Sequence, residues 1–330
     1  MSADLRSITI LVPGNLHEHA VRRIDETFRL VRLDTIDPAL LTEEMKETVR
    51  GVAASPVTGA GLVDRAFLSA LPRLEIVANF GVGYDGVDAR SAGERGIMVT
   101  NTPDVLTEEV ADTALGLLIA TVRELPKAEA WLRSGNWVEK GNYRFSPLSL
   151  RGRSAGIFGM GRIGMAIARR LEAFGLTVAY HNRRPVEGLA YPYHPTLKGL
   201  AKAVDTLISV VPGTPETAKA VNAEILQALG PNGVFVNIGR GSTVDEEALA
   251  AALQNGTIAA AGLDVFADEP NVPQSLLNAP NTVLLPHVGS ASVHTRRAMA
   301  DLVVDNLVAW FAEGRALTPV PETVGVGHSR

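Results

Sequence analysis

The sequence predicts an α/β protein made of two doubly wound, parallel-sheet domains. Three observations lead there. Apolar runs of strand length alternate with helical patterns along the whole chain, which is the βαβ rhythm of a parallel sheet covered by helices on both faces. The alternation falls into two series, separated by a long amphipathic stretch and an irregular segment. The second series opens on GIFGMGRIG, a strand–turn–helix pattern suited to a dinucleotide. At 330 residues the chain is long enough for two such domains, each with a substantial core.

In the first series, SITILVPG reads as a strand, HEHAVRRIDETFRL as a helix over 17–30, GVAASP as a short strand and DRAFLSALP as a helix. LEIVANFGVG, ARSAGERG and IMVTNTP then read as strand, helix, strand. The amphipathic stretch LTEEVADTALGLLIATVRELPKAEAWLRSG reads as a long helix bent or divided at Pro126, because proline removes a helical hydrogen bond. NWVEKGNYRFSPLSLRGR, rich in Gly, Asn and aromatic residues, reads as irregular. The second series has strands at AGIFGM, TVAYHN, TLISVV, GVFVNIG, AAGLDVF and NTVLLPHVG. The last helix, SVHTRRAMADLVVDNLVAWFAEG, follows the closed second series and is expected to pack back on the first domain. The expected organisation is therefore a discontinuous substrate-binding domain of residues 1–101 and 291–330, a nucleotide-binding domain of residues 102–290, and a cleft between them.

Composition narrows the function classes. Apolar residues are 46% and charged residues 20% of the chain, an ordinary globular balance, and the formal charge is −5. Lys and Arg are scattered, so no basic face suggests nucleic acid. There is no cysteine, which excludes disulfides, thiolate catalysis and zinc–thiolate sites. The start reads as a first strand and not a signal peptide. VADTALGLLIATV, the longest apolar stretch, contains Asp112 and Thr113 and falls short of the ~20 residues that span a bilayer. A cytoplasmic protein without membrane partners is expected.

The motif Gly159-Met160-Gly161-Arg162-Ile163-Gly164 follows a strand and opens a helix. Gly159 permits a tight turn, Gly161 lets backbone approach a pyrophosphate, and Gly164 lets helix and strand pack closely. The helix N-terminus offers unpaired N–H groups and partial positive charge to phosphates. A glycine-rich turn without a ligand is the competing explanation. In such sites the next strand usually ends in a carboxylate that binds a ribose hydroxyl. Here the strand ends in Asn182-Arg183-Arg184. A carboxylate would repel the 2′-phosphate of NADP, whereas guanidinium groups bind it through paired hydrogen bonds. The sequence therefore favours NADPH, with NADH weaker, over a plain solvated basic turn.

Three stretches at ends of second-series strands carry the remaining chemistry: VNIGRGS with Arg240, GLDVFADEP with Glu269, and LLPHVGS with His287. Taken singly, each has a plain explanation: a solvated loop arginine, a surface acid before Pro270, a hydrogen-bonded structural histidine. Together they match carbonyl reduction. A histidine donates a proton to a developing alkoxide, a neighbouring carboxylate favours its protonated form, and an arginine binds the substrate carboxylate. His17 and His19 lie two apart on a helix and cannot share a metal, and no cluster has metal-site spacing.

With NFGVGYDGVD, VTNTPDVLTEEVADTALGLL, GIFGMGRIG, VNIGRGSTVDEEAL, GLDVFADEP and LLPHVGS in this order, nearly the whole chain resembles the D-isomer-specific 2-hydroxyacid dehydrogenases, Rossmann/flavodoxin-like in both domains. Within that family it is most similar to the glyoxylate/hydroxypyruvate reductases and the related hydroxyphenylpyruvate reductases. The resemblance implies an Arg240–Glu269–His287 catalytic set, with the substrate carboxylate on the Val82 and Gly83 amides as well as Arg240. It implies cofactor contacts from Thr107, from Met160, Arg162 and Ile163 at the pyrophosphate turn, and from Val211, Pro212 and Thr217 beside the adenosine. Ile238, Gly239, Arg240, Asp264, His287 and Gly289 would complete these contacts, with Asp264 approaching the nicotinamide amide. It further implies a homodimer joined through the nucleotide domain, with residues near Trp131–Tyr143 reaching toward the partner. The Asn182-Arg183-Arg184 turn departs from many NAD-using relatives, and Gly239 stands where many carry alanine.

The expected reaction is reduction of glyoxylate or hydroxypyruvate to the D-2-hydroxy acid. Two alternatives stay open: an aromatic 2-oxo acid or keto-sugar acid (hydroxyphenylpyruvate or 2-ketogluconate) as substrate, and a non-enzymatic nucleotide sensor resembling the family's corepressors.

Overall fold

In the computed structural model, which describes residues 4–55 and 61–328, the chain forms two compact units, Met1–Leu106 with Ser292–Arg330 and Thr107–Ala291. Their boundaries lie at 106/107 and 291/292, against 101/102 and 290/291 in the sequence reading. Pro56, the last residue of the expected GVAASP strand, lies outside the described residues.

The first unit contains β1 (Thr9–Pro13), α1 (Glu18–Thr27), β2 (Arg29–Leu33), α2 (Glu43–Thr48), β3 (Val49–Ala54), α3 (Arg65–Ser69), β4 (Ile76–Asn79), α4 (Ala89–Glu94) and β5 (Met98–Thr100). The second contains α5 (Thr107–Val122), α6 (Leu125–Arg133), α7 (Asn136–Lys140), β6 (Ser154–Phe158), α8 (Arg162–Ala173), β7 (Thr177–His181), α9 (Leu197–Ala203) and β8 (Thr206–Ser209). It continues with α10 (Ala223–Leu229), β9 (Val234–Asn237), α11 (Glu246–Gln254), β10 (Ala260–Leu263), α12 (Gln274–Leu277) and β11 (Thr282–Leu284). The chain then returns to the first unit as α13 (Val293–Glu313).

Both sheets are parallel throughout, ordered β2-β1-β3-β4-β5 and β11-β10-β9-β8-β6-β7. Each order reverses beside its first strand, at β1/β3 and at β6/β8, and ligands of such sheets bind outside the carboxyl ends at that switch point. The inner strands β1, β4, β8, β9 and β10 are buried at every residue, as parallel sheets covered on both faces require. In the first unit, Arg23 of α1 pairs with Asp301 and Asp305 of α13 at 2.8 Å each, fastening the C-terminal helix to α1.

Two differences from the sequence reading have clear causes. The helix expected over 17–30 ends at Thr27, and Arg29–Leu33 is a strand. β2 is the edge strand, with Arg29 and Arg32 exposed, so its charges look like the polar face of a helix. The irregular 136–153 segment begins with the one-turn helix α7. The long helix does divide near Pro126, which lies in the first turn of α6 behind a left-handed Glu124 (φ 52°). The buried Glu124 carboxylate is held by Arg144, Tyr143 and Lys127. Among the described residues, no helix is long and apolar enough to cross a membrane.

Candidate active site

The glycine turn joins β6 to α8 at the switch point of the second sheet. Gly159 has φ 107°, a conformation side chains rarely adopt, and a Cβ on Gly164 would lie 2.3 Å from the Gly159 carbonyl oxygen. A Cβ on Gly161 would meet nothing within 4 Å, so the turn leaves open space in front of the α8 N-terminus. Gly161 caps α8 and has no side chain to fill the space before its first turn, as an anion site at a helix N-terminus requires. These features fit a pyrophosphate. Arg162 is exposed, Ile163 half-buried and Met160 buried at its rim.

Asn182 ties this turn to the next one. Its Oδ1 accepts from the Met160 N–H at 2.6 Å, and its Nδ2 donates to the Met160 carbonyl at 3.4 Å. The amide named above as a cofactor ligand is therefore engaged with backbone. Arg183 and Arg184 follow it, both exposed. The Glu216 carboxyl is held below its usual range, first by a Thr214 hydrogen bond and in part by the charge of Arg183, so a carboxylate lies within electrostatic reach of that guanidinium. Sequence reasoning passed over Glu216, which sits thirty-odd residues away in a loop with no motif of its own.

His181 is stacked between Phe158 and Tyr193, with ring centroids 5.7 and 6.5 Å away, and its Nδ1 donates to the His194 carbonyl at 2.8 Å. After β8, Val211 is buried and Pro212 exposed. Thr217 Oγ1 donates to the Pro212 carbonyl at 2.7 Å, closing the loop that would face the adenosine.

Arg240, Glu269 and His287 lie beyond the carboxyl ends of β9, β10 and β11. His287 Nδ1 donates to Glu269 Oε2 at 2.7 Å, while Glu269 Oε1 accepts from the Phe266 N–H at 3.0 Å. Burial pushes the Glu269 carboxyl up. The His287 hydrogen bond, the Phe266 amide and the charges of His287 and Arg240 outweigh that and hold it below the usual range. Arg240 therefore acts electrostatically on the same pair. Its carbonyl accepts from Asn237 Nδ2 at 2.9 Å and Thr243 Oγ1 at 2.7 Å, which fixes the backbone from which the guanidinium projects. The next residue, Gly241, packs so closely that a Cβ there would lie 1.8 Å from the Phe266 carbonyl carbon. That contact brings the Arg240 loop against the segment carrying Glu269.

His287 itself has φ 52°, an uncommon backbone for a residue with a side chain. Asp264 holds it there. Its carbonyl accepts from the His287 N–H at 2.9 Å, and its two carboxylate oxygens accept from Val288 and Gly289 at 2.7 and 2.8 Å. Burial pushes the Asp264 carboxyl up, against these two amides, which favour its charged form. The aspartate expected near the nicotinamide amide thus spends both oxygens on the histidine loop. Ile238 and Gly239 are buried, Gly239 close against the Val211 carbonyl, and Thr113 Oγ1 donates to the Gly289 carbonyl at 3.2 Å. Thr107 is the first residue of α5.

In the first unit, Val82 and Gly83 form the half-buried turn after β4. His19 Nε2 pairs with Asp301 at 2.7 Å, and His17 is the N-cap of α1. Among the described residues, no group of His, Asp and Glu could hold a metal ion.

A family model for the NAD binding domain of D-isomer specific 2-hydroxyacid dehydrogenases matches residues 115–289. An NADPH-dependent glyoxylate/hydroxypyruvate reductase from Sinorhizobium meliloti, solved in complex with NADP and malonate, is 62% identical. It superposes with a TM-score of 0.94 over 98% of this chain and 99% of that one. A glyoxylate/hydroxypyruvate reductase A of Arabidopsis thaliana is 44% identical over 317 residues, covering 96% of this chain and all of the relative. A hydroxyphenylpyruvate reductase of Plectranthus scutellarioides is 42% identical over 318 residues with the same coverage. The paired His287 and Glu269, the glycine turn and these likenesses agree: the chain belongs to the D-isomer-specific 2-hydroxyacid dehydrogenases.

Proposed function

We propose that the protein reduces glyoxylate and hydroxypyruvate to D-2-hydroxy acids with NADPH. The observation that carries this reading is the 2.7 Å His287–Glu269 pair, with Arg240 acting on the same carboxylate. With Nδ1 committed to Glu269, His287 has Nε2 for the substrate oxygen. A protonated His287 donates from Nε2 as the oxygen gains charge, and Glu269 stabilises the cation until that moment. Arg240 and the Val82 and Gly83 amides bind the carboxylate common to all 2-oxo acids. Phosphates dock on the α8 N-terminus at Gly161–Ile163, and Arg183 and Arg184 take the 2′-phosphate. The reduced nicotinamide, when bound, supplies the hydride. The reductases from Sinorhizobium meliloti and Arabidopsis thaliana support the substrate class, and the former's NADP complex supports the cofactor.

The reading includes a homodimer and a cytoplasmic location. Support for the dimer comes from Leu132, Trp137, Val138 and Phe145 of the second unit, which are 54%, 57%, 93% and 97% exposed. Sedimentation of the purified protein near twice its chain mass is the expected result, and a monomer would overturn that part.

The function is tested by following NADPH oxidation across a panel of 2-oxo acids. Hydroxypyruvate or glyoxylate should give the highest kcat/KM, with measurable turnover of larger acids, since apolar pocket walls discriminate by only ~1–3 kcal/mol. Arg240→Ala should depress every substrate together. If 4-hydroxyphenylpyruvate gave the highest kcat/KM, the aromatic-acid assignment, which the Plectranthus relative favours, would replace this one. A protein that bound NADPH and reduced nothing would be a nucleotide sensor.

A further inference from the structure

We infer that Asn79 and Asn101 are positioning residues that aim the Val82 and Gly83 N–H groups at the substrate carboxylate; this rests on the proposed reading of that turn. β4 ends at Asn79 and its parallel neighbour β5 at Thr100, so the two asparagines flank the turn at adjacent strand ends. Between them they hold every carbonyl of Gly81-Val82-Gly83. The Gly81 oxygen accepts from Asn79 Nδ2 at 3.1 Å and from the Thr102 N–H at 2.9 Å. The Val82 oxygen accepts from Asn101 Nδ2 at 2.8 Å, and the Gly83 oxygen from Asn79 Nδ2 at 3.0 Å. Both neighbours of the Asn79 amide are acceptors, so its nitrogen must face them and its orientation is determined.

The consequence follows from the planarity of the trans peptide, in which C=O and the following N–H point in opposite directions. Drawing the Gly81 oxygen inward turns the Val82 N–H outward, and drawing the Val82 oxygen inward does the same for Gly83. Neither N–H has a hydrogen-bond partner among the described residues. Two adjacent, outward N–H groups with no partner make an anion cradle of the kind that binds a carboxylate. Gly81, at φ 151°, allows the turn to close over Asn79: a Cβ there would lie 3.2 Å from the Gly83 oxygen. Asn79 is 1% exposed, and both hydrogen bonds from its Nδ2 go to this turn, so the side chain serves the cradle and not the surface. Neither asparagine touches the reacting atoms. They act through backbone geometry, and the effect belongs to substrate binding more than to the chemical step.

Asn101→Ala removes a half-buried side chain whose hydrogen bond goes to Val82, and Asn79→Ala releases Gly83 and half of Gly81. In Asn101→Ala, the KM for hydroxypyruvate and the inhibition constant for oxamate should rise together by about five- to tenfold, the value of one hydrogen bond. KM should rise more than kcat falls, and NADPH affinity should not move; Asn79→Ala should extend the pattern. Loss of NADPH affinity in parallel with substrate affinity would mark a general structural role and overturn the inference. Amide resonances of Val82 and Gly83 in the wild-type holoenzyme should shift on titration with oxamate. No shift would overturn the carboxylate assignment itself. A wild-type shift with unchanged KM and inhibition constant in both variants would overturn the positioning role alone.

Discussion

Replacing both Arg183 and Arg184 with Ala should convert an NADPH-preferring enzyme into one that barely distinguishes its two cofactors. A hydrogen bond to a charged group contributes about 1.5–3 kcal/mol. Both arginines are exposed, so solvent screening lowers each contact to about 1–1.5 kcal/mol. The pair then contributes about 2–3 kcal/mol, or roughly a 30- to 150-fold rise in the NADPH dissociation constant at 1.4 kcal/mol per factor of ten. NADH has no 2′-phosphate, and its affinity should stay within about twofold of wild type. Fluorescence titration of each cofactor reads both constants, and an unchanged melting temperature confirms that only the exposed turn was altered. Glu216, whose carboxylate shares the field of Arg183, gives an internal control of sign: Glu216→Gln should tighten NADPH slightly and leave NADH alone. Because the contacts are exposed, the NADPH preference should shrink as salt rises. Equal weakening of both cofactors in the double variant, or tighter NADH binding by the wild type, would refute the reasoning.

His287→Ala should remove most turnover while leaving the NADPH dissociation constant near wild type, because the imidazole acts mainly in the transition state; steady-state kinetics with a parallel titration decide it. Glu269 titrates below the usual carboxylate range, so its support is present above that range and is lost only as pH falls through the depressed value. Glu269→Gln removes the negative charge that favours a protonated neighbour, and the alkaline limb of the kcat/KM profile for reduction should move to lower pH. An unchanged profile would refute the pairing. Gly241→Ala forces a methyl group to within 1.8 Å of the Phe266 backbone, and thermal unfolding should show a loss of about 3 kcal/mol or more, with activity falling alongside.

The two βα series, the dividing proline and the placing of Arg240, Glu269 and His287 after strand ends were legible because each leaves a local trace: a period, a ring-locked φ, or a charged residue after an apolar strand. β2 left a misleading one. RLVRL follows α1 with only Phe28 between, and its arginines suit an edge strand and a helix surface equally well. Asn79 and Asn101 were legible only as residues near turns. What they hold are carbonyls, which every residue has, and no sequence pattern marks which carbonyl a side chain will reach. Asp264 was reached through resemblance and was expected near the nicotinamide. Its observed partners, Val288 and Gly289, lie 24 and 25 residues away and come within reach only because β10 and β11 are neighbours.

The reciprocal bonds between Asn182 and Met160 tie the turn after β7 to the glycine turn after β6, so the two shapes are inherited together. Asn182, the residue after β7, cannot be exchanged freely, because the same side chain supports the glycine turn some twenty positions upstream. The short bond, however, requires only an acceptor oxygen, and aspartate supplies one. Asn182→Asp would keep the Met160 N–H satisfied with one oxygen but set the other against the Met160 carbonyl, where the Nδ2 donor now lies. Alanine or glycine at the same place would loosen both turns at once. A change at residue 182 therefore reaches two turns at once, and a replacement that keeps both bonds must supply an acceptor and a donor from one side chain.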